Sequence, residues 1–244
     1  MIIDGIQANI IDSVIAYESG IIWKAANRRV EAIDYGGDTD HISAKISVWG
    51  TVADIADFRT ALEIATCKEM IFTKGEKPFG PAFDCEGSAE YLIIGIDDMM
   101  TTDKGVAQMA FQIAASPANL NQAYNDIEFN LANFAVQEVS RKSEEGKSIF
   151  QKEIGWDALR HGWNRPEFTI SLLANSQIMG GTISWLTKLR TSSFMVSCNN
   201  SMILIDDQVE ISACTSFGNL RRLGNTGMWQ ADFDFVRAEH ADNL

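Results

Sequence analysis

Basic residues and proline are both scarce in this chain. Lys and Arg number 20 against 33 Asp and Glu, so the formal charge is 20 − 33 = −13. That balance excludes a protein that wraps duplex DNA, whose affinity comes from cations on phosphates. Four prolines in 244 residues exclude a Pro-rich linker protein. No apolar run approaches the roughly 18 residues that span a bilayer. The nearest, residues 10–22, is interrupted by Asp12 and Glu18. The first residues, Met1-Ile2-Ile3-Asp4-Gly5, lack the basic-then-apolar order of a signal peptide, so none is expected. The four cysteines, Cys67, Cys85, Cys198 and Cys214, form no C-x-x-C pair. Zinc-ribbon and thioredoxin readings lose their support, and reduced, buried thiols in a cytosol-made protein are expected. The sequon Asn199-Asn200-Ser201 is discounted for the same reason.

Catalytic signatures are missing as well. His41, His161 and His240 have no metal-ligand spacing. There is no G-x-S-x-G elbow, P-loop or G-x-G-x-x-G. Asp97-Asp98 and Asp206-Asp207 are acid pairs, but each sits where a turn is expected, and turn chemistry explains them. A carboxylate pair for glycoside cleavage stays open, since 33 acids offer many spatial pairs. The chain is expected not to be an enzyme and to need no cofactor or metal.

What is present is a globular composition, 46% hydrophobic and 22% charged, and an internal repeat. Residues 50–67 (GTVADIADFRTALEIATC) align without a gap on 181–198 (GTISWLTKLRTSSFMVSC), 131 positions later. Gly50/Gly181, Thr51/Thr182, Arg59/Arg190, Thr60/Thr191 and Cys67/Cys198 are identical. Upstream, Arg29-Val30-Glu31 matches Arg165-Pro166-Glu167. Downstream, Gly105-Val106-Ala107-Gln108 with Phe111 matches Gly227-Met228-Trp229-Gln230 with Phe233. Segments in one order point to a unit occurring twice.

Each copy reads as antiparallel strands around one short helix. Residues 41–48 and 167–173 alternate as half-buried strands. The Gly-Thr pair then ends the strand, with Thr as helix N-cap. Ile55, Phe58 and Leu62 give a short amphipathic helix. Its counterpart at Leu186 and Leu189 is weaker, a turn or two. Strands follow at 70–72, 91–96 and 106–113 in the first copy, and at 201–205, 209–213 and 228–235 in the second. Between the copies, Pro117, Leu120, Tyr124, Ile127, Leu131, Phe134 and Val139 predict a helical insert, and residues 143–147 a solvated linker. The expected fold class is α+β, mainly antiparallel β. It comprises an N-terminal arm (1–28), a β-sandwich or barrel module (29–116), a helical insert and linker (117–164), and a second module with a C-terminal tail (165–244).

Charge is unequally shared. Residues 29–115 carry seven cations and 15 acids, 7 − 15 = −8; residues 165–237 carry six of each. An acidic face on the first copy follows, with Asp97, Asp98, Glu86 and Glu90 as candidate residues. Plain solubility explains acidic charge too, but a negative wall also repels a polyanion and lets it slide past. Arg59 and Arg190, each followed by Thr, are candidates for bidentate bridges to a neighbouring subunit, with an ion pair inside the module as the alternative. Trp163 and Trp185 are candidate interface anchors.

A duplicated small β module with one helix, acidic and without catalytic residues, resembles the tail-tube fold of bacteriophages. That fold is shared by tail tubes, baseplate hubs, tube initiators and distal tail proteins. The likeness covers 29–115 and 165–237 and rests on the Gly-Thr, Arg-Thr and Gly-x-x-Gln positions. It implies edge-to-edge joining into rings: a homotrimer with pseudo-six-fold symmetry, or a homohexamer. It implies other tail-tube and baseplate proteins as partners, and DNA passing through an acidic lumen without specific binding. It further implies no membrane contact, assembly in the host cytoplasm, and a place in the virion tail. The long insert favours a baseplate or tube-end component over a plain tube repeat. A different tail or neck connector remains an alternative, as does a carbohydrate-binding β-sandwich using Trp163 or Trp229 as sugar platforms.

Overall fold

The computed structural model describes residues 1–18, 21–26, 29–34, 40–102, 104–152, 155–189, 194–196 and 210–237. Among the described residues the chain is mainly antiparallel β with two α-helices. Strands β1 (Ile2–Ile3), β2 (Ile6–Gln7) and β3 (Asn9–Glu18) come first. The hairpin β4 (Ile21–Ala26) and β5 (Arg29–Asp34) and then β6 (His41–Thr51) lead into helix α1 (Val52–Glu63). After it run β7 (Cys67–Phe72), β8 (Phe83–Asp84), β9 (Gly87–Ile96), β10 (Met100–Thr101), β11 (Val106–Ala115) and β12 (Asn121–Gln122). The second half holds β13 (Ala135–Lys152), β14 (Gly155–Asn175), α2 (Ser176–Lys188), β15 (Phe194–Val196), β16 (Glu210–Arg222) and β17 (Met228–Arg237).

One sheet carries most of these strands, in the order β13-β14-β17-β16-β3-β6-β11-β9-β7-β1-β2, with β10 on β11 and β15 on β16. In the first half, β6 is followed by a helix, and the sheet then runs β6-β11-β9-β7. In the second, β14 is followed by a helix, and the sheet runs β14-β17-β16, with β15 on β16. Each half thus places its strands in the same sequence. A long partner strand flanks each: β3 beside β6 and β13 beside β14. Irregularities recur too. The β3–β6 register shifts between Ile10 and Asp12, and the β13–β14 register between Val136 and Glu138, each two residues into the ladder. The β11–β9 register shifts at Gln112/Ile113, opposite Ile94. The β17–β16 register shifts opposite Thr215, where Cys214 pairs Phe235 and Ser216 pairs Asp234.

Alternation decides which face is core. Ile42, Ala44, Ile46 and Val48 of β6 are buried, as are Ile170, Leu172 and Ala174 of β14 and Trp229, Ala231, Phe233 and Phe235 of β17. Helix α1 lays Ile55, Phe58 and Leu62 on this face, and α2 lays Met179, Ile183 and Leu186 on it. Two loops finish the cover. One buries Phe79, Ala82 and Phe83; the other buries Phe129, Leu131 and Phe134. Phe129 packs at 5.4 Å on Phe235 and 5.7 Å on Phe134, centroid to centroid.

Several expectations need correction. The N-terminal arm is not an appendage, because β3 sits mid-sheet between β16 and β6. The insert 117–164 is not helical. It holds two 3₁₀ turns (Pro117–Asn119 and Leu131–Asn133), an extended strap, and strands that continue through the residues expected as a solvated linker. Its apolar spacing matched a helix, but Asn119, Asn121, Asn125, Asn130 and Asn133 favour caps and turns. Asn130 accepts from Ala132 N at 2.9 Å in one of them.

Helix α1 begins as expected, with Thr51 Oγ1 accepting from Asp54 N at 3.1 Å. Helix α2 is longer and earlier than expected. Its N-cap is Asn175, accepting from Ile178 N at 2.9 Å, so Thr182 is a buried interior residue rather than a cap. The N-caps are 175 − 51 = 124 positions apart, not 131. The difference of seven is about two helical turns, which is why the apolar pattern matched in the wrong frame. Arg29-Val30-Glu31 and Arg165-Pro166-Glu167 lie 22 and 10 positions before their caps, counted from each Arg, and do not correspond. Downstream, Val106 pairs Thr51 and Met228 pairs Asn175, each strand starting opposite a cap. The strand and turn expected at 201–207 lie outside the described residues.

Candidate functional surface

The face of the sheet opposite the helices carries no covering layer among the described residues, and its side chains are mostly polar, with Val14, Trp49, Ile71 and Leu92 as half-exposed apolar exceptions. In the second half Thr169 and Ser216 donate to Asp234 at 2.6 and 2.7 Å. Asn219 donates to Asp232 at 2.6 Å, and Gln230 to Ser171 at 3.1 Å. In the first half the same face carries Asp12, Lys45, Ser47, Glu69, Glu90 and Asp97. Lys45 meets Asp97 at 2.7 Å with both ends about half exposed. Glu69 stands directly opposite Glu90, a like-charge pair that costs stability. Ser88 donates to Glu69 and tempers it. Among the described residues seven carboxylates (Asp12, Glu69, Glu90, Asp97, Glu138, Asp232 and Asp234) thus share this face with Lys45 and Arg221.

The expected acidic residues divide. Asp97 and Glu90 are on this face. Asp98 turns to the helix side, where it meets Arg59 at 3.5 Å. Glu86 sits in the loop before β9, its N–H donating to Asp84 at 3.4 Å. Arg59 also holds Glu63 at 2.7 Å, so its guanidinium pairs within its own chain. The equivalence of Arg59 with Arg190 fails. The matching position in α2 is Ile183, counted from the caps, and Arg190 lies beyond the end of α2, outside the described residues. Trp185 is half-buried against the core. Trp163 lies in β14 past the stretch paired with β17, and its side chain is outside the described part. Trp229 is buried with its indole N–H on Ser176 Oγ at 3.0 Å, so it offers no sugar platform.

The thiols divide as well. Cys67 is exposed, contrary to expectation; Cys85 is buried, and Cys198 lies outside the described residues. Burial pushes the Cys85 thiol up to about 11, so it is neutral and unreactive near pH 7. Tyr91, which shares a hydrogen bond with Cys85, is also pushed up, chiefly by burial.

One polar cluster fastens the strap 120–128 to α2. Asp126 accepts from Lys188 at 2.7 Å, Ser184 at 2.8 Å and Gln122 at 2.9 Å. Lys188 leads these in holding the carboxyl below its ordinary 3.8. A carboxyl depressed in the folded state adds stability above its unfolded pKa and loses it as pH falls through the folded one. Lys188→Met is therefore expected to raise the Asp126 pKa and to shift acid unfolding to higher pH. Carboxyl NMR titration and acid melts check this; an unmoved Asp126 resonance would show that Lys188 does not hold it.

Sequence reading missed the open strand edges, because edges are a property of sheet order and not of residue type. Among the described residues, no helix is long and apolar enough to cross a membrane. No protein-family model matches the chain, and no curated protein matches it.

Proposed function

We propose that this chain is a structural ring protein of a bacteriophage tail, built from one tail-tube-like module used twice, at the baseplate or tube end. The observation that carries this reading is the repeated strand order. A long flanking strand, a strand, a helix and three further strands recur in one sheet arrangement, with bulges at matching positions. Independent origins would have to place both bulges alike by coincidence. The polar, carboxylate-rich face supports a lumen that repels DNA and lets it pass. No bond is made or broken; the chain works as a wall. Three chains supply six modules, which gives a homotrimer with pseudo-six-fold symmetry, other tail proteins stacking above and below. The protein would assemble in the host cytoplasm and end in the virion.

Mass photometry with negative-stain imaging of the purified chain tests the reading. Three chains around a central hole are expected. A compact monomer at every concentration would overturn it.

A further inference from the structure

The chain contains a worked example of how one module meets the next. The halves are joined where β16 meets β3, with Phe217 opposite Tyr17 and Leu220 opposite Ile15. The first residues of β16 are occupied by β15, from Glu210 to Ser212, and only its later part takes β3. The strand in that place in the first half is β9. Its residues Gly87–Leu92 are occupied by β7, and Ile93 N donates to Thr66 O at 2.8 Å. Beyond that point no strand lies on this side of β9 among the described residues. Ile94 there is 45% exposed, and Met100, which continues the edge, is 68% exposed.

The complementary edge is at the far end of the sheet. Strand β13 stands where β3 stands in the first half, and among the described residues its only partner is β14. The opposite end of the sheet is closed differently. There the β1–β2 hairpin, turning through Asp4 and Gly5 at positive φ, caps β7 by pairing Ile2 with Ile71. The capped edge is protected, while the edges matching the internal joint are left open.

Resting on the duplicated-module reading, we propose that the open part of β9–β10 receives strand β13 of a second copy, antiparallel, in the register of the internal joint. The bulges fix that register. Thr215 and Ile94 correspond, 215 − 94 = 121, and Gln137 and Ile11 correspond, 137 − 11 = 126. Phe217 therefore maps to Ile96 and Leu220 to Met99; Tyr17 maps to Ser143 and Ile15 to Arg141. Ile96 faces Ser143 of the partner subunit, and Met99 faces the partner subunit's Arg141. This contact is heterologous, and such contacts build a ring when the rotation closes. In-chain and between-chain joints then share one geometry, so the modules alternate around the ring.

Cysteine pairing tests it. Ile96→Cys and Ser143→Cys are placed together in a chain whose exposed Cys67 is Ser. Directly opposite antiparallel residues lie about 4.5–5.5 Å apart between Cα atoms, within disulfide reach. The two sites are at separate edges of one chain, so a bond between them links chains. Mild oxidation is expected to give a disulfide ladder that stops at the chain number of the native particle. Either single-cysteine variant is expected to give none. A holed ring without the 96–143 disulfide overturns this pairing and leaves the ring reading standing. Disulfide-linked open chains without a hole keep the pairing and overturn the ring. A monomer that never cross-links overturns both.

Discussion

Gly181→Ala lowers the stability of the chain, although alanine is the better helix former by about 1 kcal/mol. Gly180 and Gly181 sit inside α2, where the strap and the Pro81 loop press on the helix backbone. A Cβ on Gly181 would lie 2.6 Å from Ile127 Cγ1 and 2.7 Å from Asn125 O. On Gly180 it would meet Pro81 O and the Tyr124 ring, each at 2.8 Å. Two of these neighbours are backbone oxygens and cannot swing away. Ile127 N also donates to Gly181 O at 3.0 Å, so the strap is tied to the point it would have to leave. Overpacking of this kind costs about 1–3 kcal/mol, occasionally more. Against the propensity gain of about 1 kcal/mol, a net loss of up to about 2 kcal/mol is expected for Gly181→Ala. Gly180→Ala/Gly181→Ala together should lose more. Urea melts read the sign directly. A stabilised Gly181→Ala would mean the strap does not pack on α2 as described.

Phe217→Ala has a larger expected effect, about 3–5 kcal/mol. Phe217 is fully buried, stacks on Tyr17 at 5.3 Å between centroids, and lies 6.1 Å from Phe233. It belongs to both halves at once. Tyr17 is on β3, which is laddered to the first half, and Phe233 is in the core of the second. The neighbouring Leu220 fits against Gly80, where a Cβ would lie 2.6 Å from Leu220 Cδ2. Removing the Phe217 ring therefore weakens the seam more than either half. Unfolding of the variant is expected to separate into two transitions where the parent shows one. A single, equally shifted transition would mean the halves are coupled elsewhere. Phe111→Ala, buried within the first half against Phe58 at 5.6 Å, is the control that should lower stability without splitting the transition.

What the sequence made legible was local. Strict alternation at 228–235 and 41–48 announced strands, and Thr51 with its apolar i, i+3, i+7 pattern announced α1. The second helix was misplaced because Gly180-Gly181 look like strand-ending punctuation. Only the contacts with Pro81, Tyr124 and Ile127 reveal them as a packing notch. The strap failed for the converse reason: its apolar residues are spaced like a helix but are spent on two separate neighbours, α2 and the aromatic cluster. The long β13–β14 ladder was hidden because backbone hydrogen bonds do not depend on composition, and a stretch such as residues 143–147 can be charged and still paired. Of the candidate surface, Asp97 and Glu90 were legible from charge alone. The sorting of Asp97 from its neighbour Asp98 onto opposite faces needed the strand register.

The proposed ring uses one module twice in a closed wall. Cryo-electron microscopy of the purified particle tests it most directly. A three-fold ring is expected, its six sheet segments nearly superimposable, with the carboxylate-rich face lining the hole and the helices outside. A particle whose helices line the hole, or whose two halves occupy unrelated environments with no continuous sheet between subunits, would contradict it.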